Sequence, residues 1–434
     1  MSPREEYVPG HGDERYAVRH YDLTLGYKVA TNHLSGTAVL TAEALTALRE
    51  IELDLCGLHV SRLRVDGRTP DRYSHRGGRL AVRFPATIPA GTRFTVQVGY
   101  AGKPRPAPGV HGGAGWEELT DGVLVGSQPY GAPSWFPCND RPSDKASYRF
   151  SLTTASGYHV AGNGTLTARS SRGGQTTWVY DQVEPMAAYL ASVQIGRYTV
   201  TPVTRGRDGV LVEIVHPPRL KVGSGTAFAR QGAMVSTFAD LFGPYPFGSY
   251  RAVITDDPLE IPLEAQGLAS FGANHVEAGW ENERLVAHEL AHQWFGNSLT
   301  VAHWSDIWLH EGFACYSEWL WSQASGGPSA DKHARLHHAR LAKLPQDIVV
   351  GDPGARLMFD DRVYKRGALT LHALRALTGD TAFFALLRAW TADHAYGLID
   401  TGSFLAHAQT FTDSPVRDRL EKWLFARKLP ALPT

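Results

Sequence analysis

The sequence predicts an α+β chain of two domains, an antiparallel β-sandwich or saddle-like sheet up to about residue 217 and a mostly helical region after it. Three observations predict this. Four segments of the first half alternate apolar and polar residues with a period of two, the pattern of a strand with one buried and one wet face. Gly- and Pro-containing turns separate the runs. Past Val215-His-Pro-Pro-Arg-Leu220 the apolar residues recur at three- and four-residue spacing instead, the mark of helices that bury one stripe.

The alternating segments are His20–Tyr27, Gly36–Ala42, Leu80–Phe84 and Phe94–Tyr100. Pro89-Ala-Gly91 and Ser171-Arg-Gly-Gly174 supply turn residues, and the Pro-rich stretch Gly102–Gly109 reads as a loop. Helices are expected over Thr226–Phe242, closed by Gly243-Pro244, and over Glu283–Phe295, closed by Gly296-Asn297. Further helical patterns cover Asp306–Ala324, Val363–Leu377, Thr381–His394 and Ser403–Phe411. The expected division is therefore 1–217 and 218–434, with no internal repeat.

Composition narrows the function. The 434 residues are 43% hydrophobic and 20% charged, which argues against a disordered chain. Lys plus Arg is 43 and Asp plus Glu is 43, so net charge supplies no general attraction to nucleic acid or anionic membranes. Three cysteines, Cys56, Cys138 and Cys315, cannot form a disulfide framework and lie too far apart in sequence for a compact thiolate metal site. The opening residues MSPREEYVPGHGDERY contain no apolar signal core, and no run approaches a membrane-spanning length. A cytoplasmic location is expected, with no nucleic-acid or membrane partner and an oligomeric state that composition does not set.

The most informative segment is Leu285-Val-Ala-His-Glu-Leu-Ala-His-Gln-Trp-Phe-Gly-Asn297. His288 and His292 stand at i and i+4, on one helix face, so both imidazoles can reach one metal ion. Glu289 follows the first ligand directly and can contact a bound water. Eighteen residues after His292, Glu311 sits within the apolar run Ile307-Trp-Leu-His-Glu-Gly-Phe313, where an unpaired carboxylate is costly. Two His and one Glu are the ligand set of catalytic zinc sites, with a fourth position open to water. Such a site lowers the pKa of bound water towards about 7, and Glu289 fits the general base that takes its proton. Asp306 is either an acceptor for a ligand histidine's N–H or a helix N-cap.

Together these residues resemble the gluzincin aminopeptidases, the family of aminopeptidase N and leukotriene hydrolase. The surrounding words, HELAHQWFGN at 288–297 and WLHEGFA at 308–314, are similar to the family's, with His310 where Asn is usual. Phe242-Gly-Pro-Tyr-Pro-Phe-Gly-Ser-Tyr250 also fits. Ile261-Pro-Leu-Glu-Ala-Gln-Gly-Leu268 stands where the family has Gly-Ala-Met-Glu-Asn and keeps only its Glu, Glu264. The resemblance implies that Glu264 binds the substrate's free α-ammonium. Val363-Tyr-Lys-Arg-Gly-Ala368 is similar to the Tyr-x-Lys-Gly helix, which implies that Tyr364 stabilises the oxyanion. Ser127-Gln-Pro-Tyr-Gly-Ala-Pro-Ser-Trp-Phe-Pro-Cys-Asn-Asp-Arg-Pro142 matches the segment whose Gln helps hold the substrate N-terminus, here Gln128, and makes Cys138 a packing residue.

The resemblance implies a thermolysin-like catalytic domain, one Zn²⁺ on His288, His292 and Glu311, and hydrolysis of the N-terminal bond of peptides with a free N-terminus. The alternatives are a zinc endopeptidase or a non-catalytic interaction module on a peptidase fold. Larger family members continue with a small β domain and a long helical domain. Without them the cleft is expected to be more open, unless another subunit covers it.

Overall fold

The computed structural model describes residues 7–205 and 209–433. The first residues of the N-terminal segment read above, 1–6, lie outside that range.

The alternating segments become long strands: Tyr16–Lys28, His33–Ala44, Arg79–Ile88 and Arg93–Gly102. A seven-stranded sheet runs Thr165–Arg172, Gln175–Ala187, Lys145–Ala155, Tyr16–Lys28, His33–Ala44, Arg93–Gly102, His59–Val65. Its neighbours are antiparallel except one pair: Tyr16–Lys28 and Lys145–Ala155 run parallel, with Tyr21 opposite Tyr148. Those two rings stack at 4.7 Å. A five-stranded sheet, His159–Gly162, Val193–Gly196, Gly122–Gly126, Gly112–Leu119 and Ala107–Gly109, faces it. Aromatic rings fill the space between, with Trp116 edge-on to Tyr27 at 4.9 Å and Trp135 stacked on Phe150 at 6.1 Å. The first half is therefore the expected sandwich, with one parallel contact that local alternation cannot encode. Burial is set by period two in either direction.

A mixed five-stranded sheet follows, ordered Thr199–Arg205, Leu211–His216, Ser249–Ile254, Leu268–Phe271, Leu263–Ala265. It crosses residue 217: Leu211–His216 pairs in parallel with Ser249–Ile254. A three-stranded sheet (Leu48–Asp54, Arg79–Ile88, Arg72–Arg76) and the pair Thr300–Val301 with Leu398–Ile399 are the other sheets, and the described residues include eight α-helices: α1 Gln231–Phe242, α2 Trp280–Ala291, α3 Trp308–Ala324, α4 Ala330–Leu341, α5 Asp361–Thr378, α6 Asp380–Asp393, α7 Thr401–Gln409 and α8 Val416–Phe425. α4 and α8 are additional to the expected set. α4 reads ADKHARLHHARL, polar enough that its buried stripe shrinks to Ala330, His333, Ala334 and Leu341. No helix among the described residues is long and apolar enough to cross a membrane.

α3 is the central helix. Every residue from Trp308 to Ser322 is buried, so it is covered on all sides by α2, α4 and α5. The halves are tied by polar contacts as well as apolar ones. Lys145 Nζ donates to the carbonyl oxygens of Ser298 (2.8 Å) and Asn297 (3.2 Å), just past α2. Asn163 Nδ2 donates to Gln266 O (2.8 Å), and the Tyr189 ring meets Trp304 at 4.8 Å.

Candidate active site

α2 begins with Glu281 and Glu283 in its first turn, which suits the positive end of the helix dipole. It ends at Ala291, short of the expected Phe295, and His292 is its C-cap residue with φ −57°. His292 therefore still projects one turn beyond His288. The two rings lie 4.8 Å apart between centroids. α3 brings Glu311 against them. His288 Nε2 and His292 Nε2 each lie 3.4 Å from Glu311 Oε2. Ligand atoms around a tetrahedral zinc, with bonds of about 2.0–2.1 Å, stand about 3.4 Å apart, so the donor set fits.

The other imidazole nitrogens are engaged. Glu318 Oε1 lies 2.8 Å from His288 Nδ1, and Phe295 O lies 3.0 Å from His292 Nδ1. Both acceptors place the ring proton on Nδ1 and leave the Nε2 lone pairs facing Glu311. The sequence reading missed Glu318. Its signal was present: it follows Glu311 by two turns on the same face of a helix that is otherwise mostly apolar. Asp306 takes another part. Its Oδ1 accepts from Thr401 N (3.1 Å) and Thr401 Oγ1 (2.6 Å), fastening the start of α7, while the N-cap of α3 is Ile307.

Electrostatics point the same way. Burial pushes the Glu289 carboxyl up to about 8. Burial alone would lower His288 and His292, but Glu311 and Glu318 raise the first to about 9, and Glu311 and Glu264 raise the second to about 10. Burial would raise Glu311, yet the two histidines hold it well below the carboxylate range. Four carboxyl groups converge on two imidazoles, and a cation at the His288–His292–Glu311 position would balance them. The orphaned Oε2 of buried Glu289 has no hydrogen-bond partner among the described residues.

The remaining predicted residues line the same cleft of about 770 Å³. Glu264, on the Leu263–Ala265 strand, has carboxylate oxygens within 4.8 Å of ligand-capable atoms of Glu289 and His292. Gln128, from the first half of the chain, donates its Nε2 to Glu264 Oε1 at 2.5 Å. Tyr364, in the first turn of α5, sits nearly parallel to the His288 ring at 6.0 Å. Two departures from the usual motifs are accounted for. His310 Nε2 accepts from Val301 N at 2.9 Å, and burial lowers the ring to about 3, so it stays neutral in that role. Arg366 turns away from the cleft and donates to Trp423 O (2.7 Å) and Arg427 O (2.9 Å), holding the C-terminal end of α8. Cys138 is fully buried in the aromatic core.

A β-sandwich joined to a helical unit that presents a helix-borne His pair and a Glu from the next helix has the architecture of a zinc metallopeptidase. Comparison with known proteins agrees. The "Peptidase M1 N-terminal domain" model matches residues 17–190 and the "Peptidase family M1 domain" model matches 227–423. The "M1 zinc metallopeptidase" of Deinococcus radiodurans superposes with a TM-score of 0.90 at 31% identity, over 100% of both chains. A variant of it bound to a Tyr-Ser-Ala substrate gives 0.91, at the same identity and coverage. "Aminopeptidase M1" of Arabidopsis thaliana is 24% identical over 96% of this chain and 51% of its own length. The chain belongs to peptidase family M1, and the family implies a zinc cofactor. It spans about half the length of the curated relatives it matches, 51% of the Arabidopsis protein.

Proposed function

We propose that this chain is a zinc-dependent aminopeptidase that hydrolyses the N-terminal bond of peptides. The observation that carries the reading is the proximity of Glu264 to Glu289 and His292, all three offering atoms within 4.8 Å of one another. A carboxylate so close to the metal ligands can hold an ammonium only one residue before the scissile bond.

His288, His292 and Glu311 would hold the ion. When bound, it supplies a polarised carbonyl and a water of lowered pKa. The protein residues do the rest. Glu289 Oε2 takes the proton of the attacking water and passes it to the leaving amine nitrogen. Tyr364 donates its hydroxyl hydrogen to the oxyanion. Glu264 accepts from the substrate ammonium. Gln128 Nε2 orients Glu264, which leaves the amide oxygen of Gln128 to accept from the same ammonium.

Residues 1–217 thus contribute Gln128 to a centre built by 218–434. The same reading includes a cytoplasmic location, supported by three unbridged cysteines.

The test is hydrolysis of aminoacyl-arylamides by zinc-loaded protein, with free and N-acetylated peptides compared. Free substrates should be cleaved and blocked ones spared. Equal cleavage of acetylated peptides would make the chain an endopeptidase. No turnover with zinc bound would make it a binding module.

A further inference from the structure

Glu264 and the two histidines belong to separate elements. The distance between the amine anchor and the metal position is therefore set by whatever ties the Leu263–Ala265 strand to α2. That strand is three residues long, ends its sheet, and pairs only with Leu268–Phe271. An edge strand so short is held by few ladder bonds.

Two side-chain amides supply the missing hold. Gln293, directly after His292, donates its Nε2 to Ala265 O at 3.1 Å and accepts at Oε1 from Gly267 N at 2.8 Å. One side chain thus spans the tip of the hairpin that carries Glu264. The same Nε2 also reaches Glu289 O at 3.5 Å, on the backbone of the proposed base. Asn297 Nδ2 donates to Ala265 O as well, at 2.9 Å. Asn297 is itself fixed to the end of α2, since its backbone N donates to His292 O at 3.0 Å. Both side chains are fully buried, and neither lines the cleft. The other backbone groups of the tip are engaged too. Gln266 O accepts from Asn163 Nδ2, and Gly267 O accepts from Arg251 N at 3.1 Å. Buried backbone groups need partners of some kind. Here two of the partners come from the C-terminal end of the histidine helix, so the hairpin must follow that helix.

We propose that Gln293 and Asn297 are positioning residues that set the distance from the amine anchor to the metal, and so fix which bond of a peptide is cut. They act on Glu264 through Ala265 and Gly267. A displacement of about 1 Å in such a contact can cost about 100-fold in rate. This rests on the aminopeptidase reading above and deepens it.

The experiment measures equilibrium binding of L-leucine hydroxamate and its des-amino analogue to zinc-loaded wild type, Gln293→Leu, Asn297→Ala and Glu264→Gln. The two probes share the metal-binding hydroxamate and the aliphatic chain, and only the first carries the α-ammonium. The ratio of their affinities in the wild type reads the anchor. Gln293→Leu and Asn297→Ala should each lower that ratio about tenfold, while affinity for the des-amino probe and for zinc holds. Combined with Glu264→Gln, neither substitution should lower the ratio further, because no anchor remains to be misplaced. A merely structural role would weaken both probes alike. A ratio unchanged in both variants, or loss of zinc from both, overturns the proposal and leaves the aminopeptidase reading intact. A wild type that does not distinguish the two probes defeats the amine anchor, and that reading with it.

Discussion

Gly312 of α3 and Gly367 of α5 face each other so closely that a Cβ on either would stand 2.8 Å from the other's Cα. The contact is backbone on backbone. It lets the two helices approach until Glu311, one residue before Gly312, and Tyr364, one turn before Gly367, line the same cleft. A proposed metal ligand and the proposed oxyanion donor are thus registered by two missing side chains.

Gly312→Ala should therefore cost more than an ordinary helical Gly-to-Ala change gains. Overpacking of this kind costs about 1–3 kcal/mol, and the displaced helices should lower kcat as well. Urea unfolding of the metal-free protein, alongside kinetics, measures both. A variant more stable than wild type with full activity would show that the helix pair yields without consequence.

Glu318 holds His288 by its Nδ1 hydrogen, 2.8 Å away. Glu318→Gln should weaken zinc binding about 10- to 100-fold, because partners of ligand histidines fix the ring and raise its basicity. Competition with a chromophoric chelator reads this directly. An unchanged dissociation constant would mean that Phe295 O and α3 packing suffice.

Glu289→Gln keeps the size of the side chain and removes the base. Zinc content should remain one per chain while kcat falls by a factor on the order of 10² to 10⁴. Substantial residual turnover would move the proton-transfer role elsewhere.

Tyr364→Phe removes one hydroxyl from a packed helix. The loss of an oxyanion donor is worth about 2.7–4 kcal/mol, so kcat should fall about 100- to 1000-fold with KM little altered. A change confined to KM would identify Tyr364 as a ground-state contact.

His159, remote from the metal ligands in sequence, gives a pH signature. Burial lowers its ring to about 4, reinforced by Arg169 and Arg251, and it lies 4.5 Å from the Trp178 ring. Between about 4 and the ordinary 6.5 the unfolded chain binds the extra proton, so stability is complete above 6.5 and is lost as pH falls. The loss at pH 5 relative to pH 7.5 is about 2 kcal/mol. Denaturant titrations of wild type and His159→Phe should show the variant losing less over that interval. Parallel curves would refute the assignment.

Much of the centre was legible in the chain because its key spacings are short. His288, Glu289 and His292 lie within two turns of one helix, and helix geometry alone decides that both rings share a face. Glu311 was readable because a carboxylate in an apolar run demands a partner. The helix ends were less legible. α2 stops at Ala291 because the next turns close through local bonds such as Gln293 N to Leu290 O and Trp294 N to Ala291 O, not through continued apolar periodicity. From its place in sequence Asp306 reads either as a ligand's support or as a helix N-cap, but its Oδ1 bonds Thr401, 95 residues on. No local pattern contains that contact.

Taken alone, the order of residues determined the two kinds of secondary structure and singled out a candidate metal-ligand set with a candidate base beside it, since each depends on interactions within a few residues or on a motif of fixed spacing. Tertiary structure decided the rest. It chose the parallel pairing of Tyr16–Lys28 with Lys145–Ala155, brought Gln128 across 136 positions to Glu264, and set Glu117 across from Leu124. Those choices follow from burial of whole sheets and helices against one another, an energy summed over distant segments that no single stretch of the chain carries.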